Sequence, residues 1–391
     1  MIQIKPFLFD FTSGPGFGEY YSMLSCKGKH TEKDVVEVMN ELRTIKIELA
    51  DTAFRNVNQL LEMSSFVVLA NDEPLGGVKR IIVDDERVFV LDDTPKIVCY
   101  NMKGEIEYQI NNKGGGPKEF FSLLDFTINK ASNQLIAYDS GKRQLNIYNL
   151  KDGQFLSSLS TSTFAPMGMA SVDGVFFFDN PDHFNYPDNK ELHYSLLYST
   201  IGNKIDNRFF EHDEISNYSM SFGEGHPFFY NNGSLLYNKR FDTMVYRLVP
   251  NKIIPYLNIE LPNPLPDELL KDRIQPIELV KNDYSFGITN LYKCDDILYF
   301  WFSKSGFYQT VFYDLKKNKI IYAGNKVSNN PVKELPVFYP VVGVYQDCFF
   351  SLVSPMTILE KLSIDASVFP KELQEISEDS NPVLMFYKVK K

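Results

Sequence analysis

Cysteine and tryptophan are scarce in this chain of 391 residues, with four Cys (Cys26, Cys99, Cys294, Cys348) and one Trp (Trp301). The cysteines are far apart, with no CxxC and no Cys/His spacing of the zinc type, so neither a disulfide framework nor a structural zinc site is indicated. A single bridge between distant strands stays open. No stretch approaches 18 consecutive apolar residues, which argues against a membrane-spanning helix. Cations are not in excess either. The balance is 40 Lys+Arg against 50 Asp+Glu, a net charge of -10, which works against a nucleic-acid backbone or an anionic membrane as partner. The GxSxG elbow, HExxH and the Walker phosphate loop are all missing, and no cysteine forms a recognisable dyad with a histidine. No cofactor is expected.

Aromatic residues are abundant by contrast, with 32 Phe and 23 Tyr. Both suit pleated, half-buried surfaces and lean the chain toward strands. A sugar-binding platform is the functional alternative for some of them. Helical periodicity is confined to TEKDVVEVMNEL (31–42), PDELLKDR (266–273) and PKELQEIS (370–377), the last two with Pro at a plausible first helical position. Elsewhere short apolar runs alternate with turn residues, beginning at RTIKIEL (43–49) and SSFVVLA (64–70).

The organisation emerges from an internal repeat. Residues 81–110 and 126–159 both run strand, Asp/Asn-rich turn, strand ending in Asp, short turn, strand ending in Tyr-Asn, Lys-containing turn, strand. Asp93 matches Asp139, and Tyr100-Asn101 matches Tyr148-Asn149. Weaker copies follow over about 166–211, 226–261 and 286–324. Residues 339–355 and 382–390 give three strands of a sixth unit. This predicts an all-β fold, a six-bladed β-propeller of four-stranded antiparallel blades with a few short helices. Residues 64–70 supply the missing outer strand of the last blade and close the ring, which removes free sheet edges. Residues 1–43 form an N-terminal segment and 44–391 a single propeller.

The segment 69–139, with Gly114-Gly115-Gly116-Pro117-Lys118-Glu119-Phe120 in place of a G-x-G-P-x-E-[YF] pattern, resembles the opening of the NHL-like six-bladed propeller proteins of Bacteroidetes. The resemblance is close over about 44–160 and loose beyond. It implies an exported protein of the cell envelope, periplasmic or anchored at the outer membrane, often as a lipoprotein. Cys26, followed by the polar KGKHTEKD, would then be the lipidated residue, and such an anchor the only membrane contact. The preceding FLFDFTSGPGFGEYY lacks a clean apolar core, so a decayed signal, a non-native start and an ordinary Cys26 all stay open. The resemblance says little about activity.

Chemistry is sparse. The strand-terminal Asp92, Asp93, Asp139, Asp179 and Asp242 read as turn-forming residues that hydrogen-bond backbone amides, with a calcium ring as the alternative. The loop 111–121 reads as a tight interblade connection in which Glu119 satisfies amides. The insertion 179–193 carries hard oxygen ligands suited to calcium but no EF-hand spacing, and His183, His193, His212 and His226 are scattered. No metal site is assigned.

Topology yields one further expectation. In a meander blade the interblade connection and the second-to-third strand turn share one face. That face gathers Lys96, Lys118, Lys142, Arg143, Lys239, Arg240 and Lys304, a basic rim able to attract an anionic ligand despite the net charge. With Glu119, the last six are the candidate ligand-binding residues. The reading is a monomeric binding or interaction module for an anionic glycan or protein. Its rivals are a channel-centred hydrolase or lyase, lactonase-like or carbohydrate-active, and a structural envelope component.

Overall fold

The computed structural model describes residues 42–49, 57–181, 189–212, 225–231, 233–266, 269, 281–324, 337 and 340–390. The helix expected at 31–42 lies almost wholly outside them, as does most of the one at 266–273.

Strand after strand is apolar on both faces, as in Arg87–Asp92 (RVFVLD) and Ile97–Asn101 (IVCYN). Side chains alternate across a strand, so such a sheet needs a partner on each side. A ring of sheets supplies this. Six antiparallel meanders form, spanning Val78–Ile110, Leu123–Ser160, Gly168–Glu211, Phe228–Glu260, Ser285–Gly324 and a sixth blade of Val341–Tyr345, Cys348–Val353 and Val383–Val389. The first strands of successive blades lie against one another and so line the axis. The fold is the six-bladed propeller that the repeat predicts.

Among the described residues the core is correspondingly divided into six apolar clusters, one per pair of neighbouring blades. Phe89 and Leu91 pack with Phe126 and Leu135 of the second blade, while Val88 and Val90 on the opposite face pack with Phe350 and Leu384 of the sixth. Tyr100, Tyr138, Tyr237, Tyr299 and Tyr387 are all fully buried, so much of the aromatic excess fills the wedges between blades.

Leu61–Val68 pairs antiparallel with Val383–Val389, as the sequence predicts for residues 64–70. Leu61 and Leu69 are buried in the clusters on either side of this blade. A polar clasp reinforces the seam. Asn381 donates to the carbonyls of Ala70 (2.7 Å) and Glu73 (2.8 Å) and accepts from the Leu75 amide (2.8 Å), while its own amide donates to Asn71 Oδ1 (2.6 Å).

Two elements depart from expectation. Arg43–Lys46 adds a fifth, parallel strand outside Lys252–Glu260 of the fourth blade, burying Ile45. Residues 355–362, absent from the helical readings, form a helix, Pro355–Leu362. Ser354 caps it by accepting from the Thr357 amide, and Pro355 opens it, an arrangement that favours a helix start. The helix read at 370–377 is one turn, Lys371–Gln374, with Pro370 at its N-cap.

Candidate functional site

Three contacts establish which connections share a face. Lys96 pairs with Glu73 at 2.7 Å, Lys142 donates to the carbonyls of Gly116 (2.7 Å) and Glu119 (2.6 Å), and Lys304 pairs with Asp283. Each joins a second-to-third strand turn to the connection entering the same blade. The aspartates at the strand ends do similar work. Asp139 accepts from the amides of Phe121, Ser122 and Gly141 at 3.0–3.1 Å, and Asp92 accepts from the Gly76 amide at 2.9 Å.

The candidate rim residues therefore divide by role. Lys118, Glu119, Lys142 and Arg143 come together at the junction of the first two blades. There Glu119 accepts from the Gly116 amide at 2.6 Å, and the Lys142 ammonium lies 5.1 Å from the Phe121 ring centre. Lys142 and Lys304 are occupied in fastening loops, and Lys96 is buried among acidic partners. Lys118 and Arg143 are exposed. Lys239 sits 5.9 Å from the Phe210 ring in the turn of the fourth blade, and neighbouring Arg240 lies within electrostatic reach of the buried Tyr237. Cys26, His183, Asp182 and Asp188 fall outside the described residues. Among the described residues, no group of three or more His, Cys, Asp or Glu side chains is arranged to hold a metal ion.

A second constellation lies at the axis, at the same end of the propeller. Arg80 is the third residue of the inner strand Val78–Asp84, and Asp125 the third of Leu123–Asn129. Both strands carry a register shift at that place, between Val78 and Arg80 and between Leu123 and Asp125. Such a bulge re-aims the side chain that follows it. Val78 and Leu123 pair with Asp92 and Asp139, at the turns that mark the interblade face.

Asp125 is almost completely buried and well satisfied. Its carboxylate accepts from the Phe126 amide (2.8 Å), the Met169 amide (2.7 Å) and His226 Nε2 (2.8 Å). Burial opposes its ionisation, but His226, Arg80 and these hydrogen bonds outweigh it and hold the carboxyl below its usual range. His226 is pushed the other way for a base. Burial first, then repulsion from Arg80, lowers it below the ordinary histidine value despite Asp125. The imidazole is thus neutral near pH 7, with Nε2 donating to Asp125. Its Nδ1 lies 3.2 Å from the Phe228 amide and accepts from it, so both ring nitrogens are engaged. The side chain keeps 23% exposure.

Arg80 differs from its neighbours. It is 8% exposed, yet its approach to Asp125 is 3.6 Å from Nε to Oδ1, an ion pair without a hydrogen bond. Nε is buried and has no hydrogen-bond partner, and among the described residues the two terminal amino groups have none either, while keeping contact with solvent. The guanidinium lies close enough to Tyr230 and Tyr292 for its charge to act on both phenols. Burial dominates at Tyr292 and pushes its phenol up to about 12, so the hydroxyl stays protonated.

Beneath this cluster Tyr230 ties three blades together. Its hydroxyl lies 2.9 Å from Thr127 Oγ1 and donates to the Ser171 carbonyl at 3.1 Å. Opposite, the inner strand Ser285–Cys294 carries two register shifts flanking Thr289. Thr289 is buried with its hydroxyl unpartnered, and Gly225 abuts it so closely that a Cβ there would meet the hydroxyl at 2.3 Å.

Sequence reasoning pointed to the rim turns, took His226 only as one of four scattered histidines, and missed Arg80, Asp125, Tyr230 and Tyr292. Arg80 and Asp125 are each the third residue of their inner strand, so adjacent blades place opposite charges at one equivalent position; the sequence repeat hides the match because the first hairpin is two residues shorter than the second.

Comparison with known proteins adds family and fold. The family model described as "Domain of unknown function (DUF4934)" matches residues 44–388. The chain belongs to the DUF4934 family. This DUF4934 chain has no match among curated protein sequences. A crystal structure of a candidate exported protein from Bacteroides fragilis is similar, with 19% identity and a TM-score of 0.74 over 90% of this chain and all of that one. A member of the DUF4221 family from Bacteroides vulgatus is 11% identical, with a TM-score of 0.49 over 85% of this chain and 99% of that one. At these identities the first likeness speaks for the fold alone.

Proposed function

We propose that this chain is an exported bacterial propeller, of the NHL-like kind, that acts as a binding module, and that its interblade face receives an acidic glycan. The observation that carries the reading is Arg80. A guanidinium so deeply buried, held by an ion pair without hydrogen bonds, is costly to keep unless something else engages it. Around it the face offers exposed Lys118 and Arg143, with Lys142, Lys239, Arg240 and Lys304 in the neighbouring turns. Aromatic surface is present on the same side. Phe121, Phe307 and Tyr308 are exposed, and Tyr308 packs on Trp301 with ring centres 5.2 Å apart. Loops on a rigid scaffold are a common location for recognition. The Bacteroides fragilis neighbour, described as a candidate exported protein, and the sequence around Cys26 support an extracytoplasmic location, with Cys26 as the lipid-bearing residue. A channel-centred hydrolase or lyase finds less support, because a general base needs a free lone pair and both nitrogens of His226 are committed.

The test is calorimetric titration with polygalacturonate against neutral dextran. The acidic polymer is expected to bind, more weakly as salt rises, and a Lys118→Ala/Arg143→Ala variant more weakly still, without loss of stability. Equal binding of both polymers, or of neither, would contradict the reading.

A further inference from the structure

Resting on that reading, we infer that Arg80 anchors a single carboxylate on the propeller axis, gripped by its two terminal amino groups with the Tyr292 hydroxyl as an additional donor. Arginine carries five N–H donors and no acceptor. Among the described residues none of the five meets a hydrogen-bond acceptor, although the side chain is nine-tenths buried. Asp125, the natural partner, is saturated by two backbone amides and His226 and presents only one oxygen, 3.6 Å from the inner edge of the fork. Asp125 therefore fixes the guanidinium from behind and leaves its outer edge for something else. Tyr292 projects from the bulged inner strand of the fifth blade, and its hydroxyl has no partner among the described residues.

Charge selects the class of ligand. Arg80 contributes one positive charge, Asp125 cancels one, and the histidine is neutral. The cluster is therefore neutral before any ligand binds, so a monoanion adds one uncompensated negative charge near Asp125 and a dianion adds two, which ranks the singly charged ligand first. The planar fork also matches the geometry of a carboxylate, which it binds through two parallel hydrogen bonds. A uronic acid residue of a polysaccharide and a free small organic acid share this chemistry, and chain length separates them in the assay.

The test uses the full chain in titrations with acetate, glucuronate, glucose, sulfate, phosphate and polygalacturonate, on wild type and on Arg80→Lys, Arg80→Gln and Tyr292→Phe. Glucuronate or acetate is expected to bind and glucose not. Arg80→Lys should weaken binding about tenfold or more through loss of the fork. Tyr292→Phe should weaken it about three- to tenfold, the value of one hydrogen bond. Should the Arg80 variants fail to fold, Tyr292→Phe carries the test, because it removes only a hydroxyl. Polygalacturonate far tighter than glucuronate identifies the polymer as the natural source, and equal affinity the free acid. Sulfate or phosphate preferred over carboxylate would overturn the ligand class. Polymer binding that ignores Arg80→Gln and Tyr292→Phe but is lost in Lys118→Ala/Arg143→Ala would overturn the axial site and leave the binding face intact. No binding of any anion by wild type would overturn both.

Discussion

Replacing Asn381 by Ala should loosen the seam that closes the ring. The side chain makes three hydrogen bonds to the backbone of residues 70–75, which lie more than 300 positions earlier in the chain. Alanine would orphan the Leu75 amide and the carbonyls of Ala70 and Glu73. Each bond contributes about 1 kcal/mol net, and an unsatisfied buried group costs about 1–3 kcal/mol. The site is only partly buried, so water would recover some of this, and the expected loss is about 2–4 kcal/mol. For a chain of this length the melting entropy is on the order of 0.8 kcal/mol per degree. The melting temperature should fall by about 3–5 °C in calorimetry, while Lys151→Ala, at an exposed turn, should leave it unchanged within about a degree. Hydrogen exchange locates the effect. Amides of Leu61–Val68 and Val383–Val389 should exchange faster, and those of Gln134–Asp139 should not. Unchanged melting together with unchanged protection of the two closing strands would refute the clasp.

Other outcomes follow from the same structure. Gly104 has φ +84° and packs under the closing strand, where a Cβ would lie 1.9 Å from the Val68 carbonyl oxygen, so Gly104→Ala should cost about 2–4 kcal/mol through strain and overpacking, read by chemical denaturation. The axial cluster should make stability pH-dependent. His226 sits below its ordinary value of 6.5 in the fold, so the unfolded chain binds the extra proton and stability falls as pH drops from about 6.5. Asp125, held below its ordinary 3.8, adds a further loss at more acid pH. His226→Gln should flatten the first part of that decline in urea titrations at pH 7 and pH 5, and an undiminished slope would show that the proton goes elsewhere.

Much of the fold was legible because a propeller repeats its instructions. The strand-terminal Asp and Tyr-Asn pairs recur and align two blades, although the structural counterpart of Asp139 is Asp92, one residue before the Asp93 that the sequence matched to it, and the missing outer strand of the last blade pointed to residues 64–70. The helix Pro355–Leu362 escaped because CFFSLV runs directly into Ser354-Pro355, with no loop to announce the change. The extra strand Arg43–Lys46 could be read as a strand but not placed, since parallel pairing at a blade edge leaves no local turn signal. The site was harder. Lys118 and Arg143 lie in turns whose shared face follows from topology. Asp125 and His226 are 101 positions apart and meet only because the blades curve round an axis. What marks Arg80 is the lack of a hydrogen-bonded partner, and that is a property of three-dimensional structure.

The account rests most heavily on the place where an anion settles. Crystals soaked in 4-bromobenzoate would answer this directly, since the bromine scatters anomalously and reports the carboxylate's position. The account predicts a carboxylate bridging the two terminal amino groups of Arg80 within hydrogen-bond distance of the Tyr292 hydroxyl, at the interblade end of the axis. A fully soaked crystal with the anomalous peak elsewhere and the Arg80 fork unengaged would contradict it.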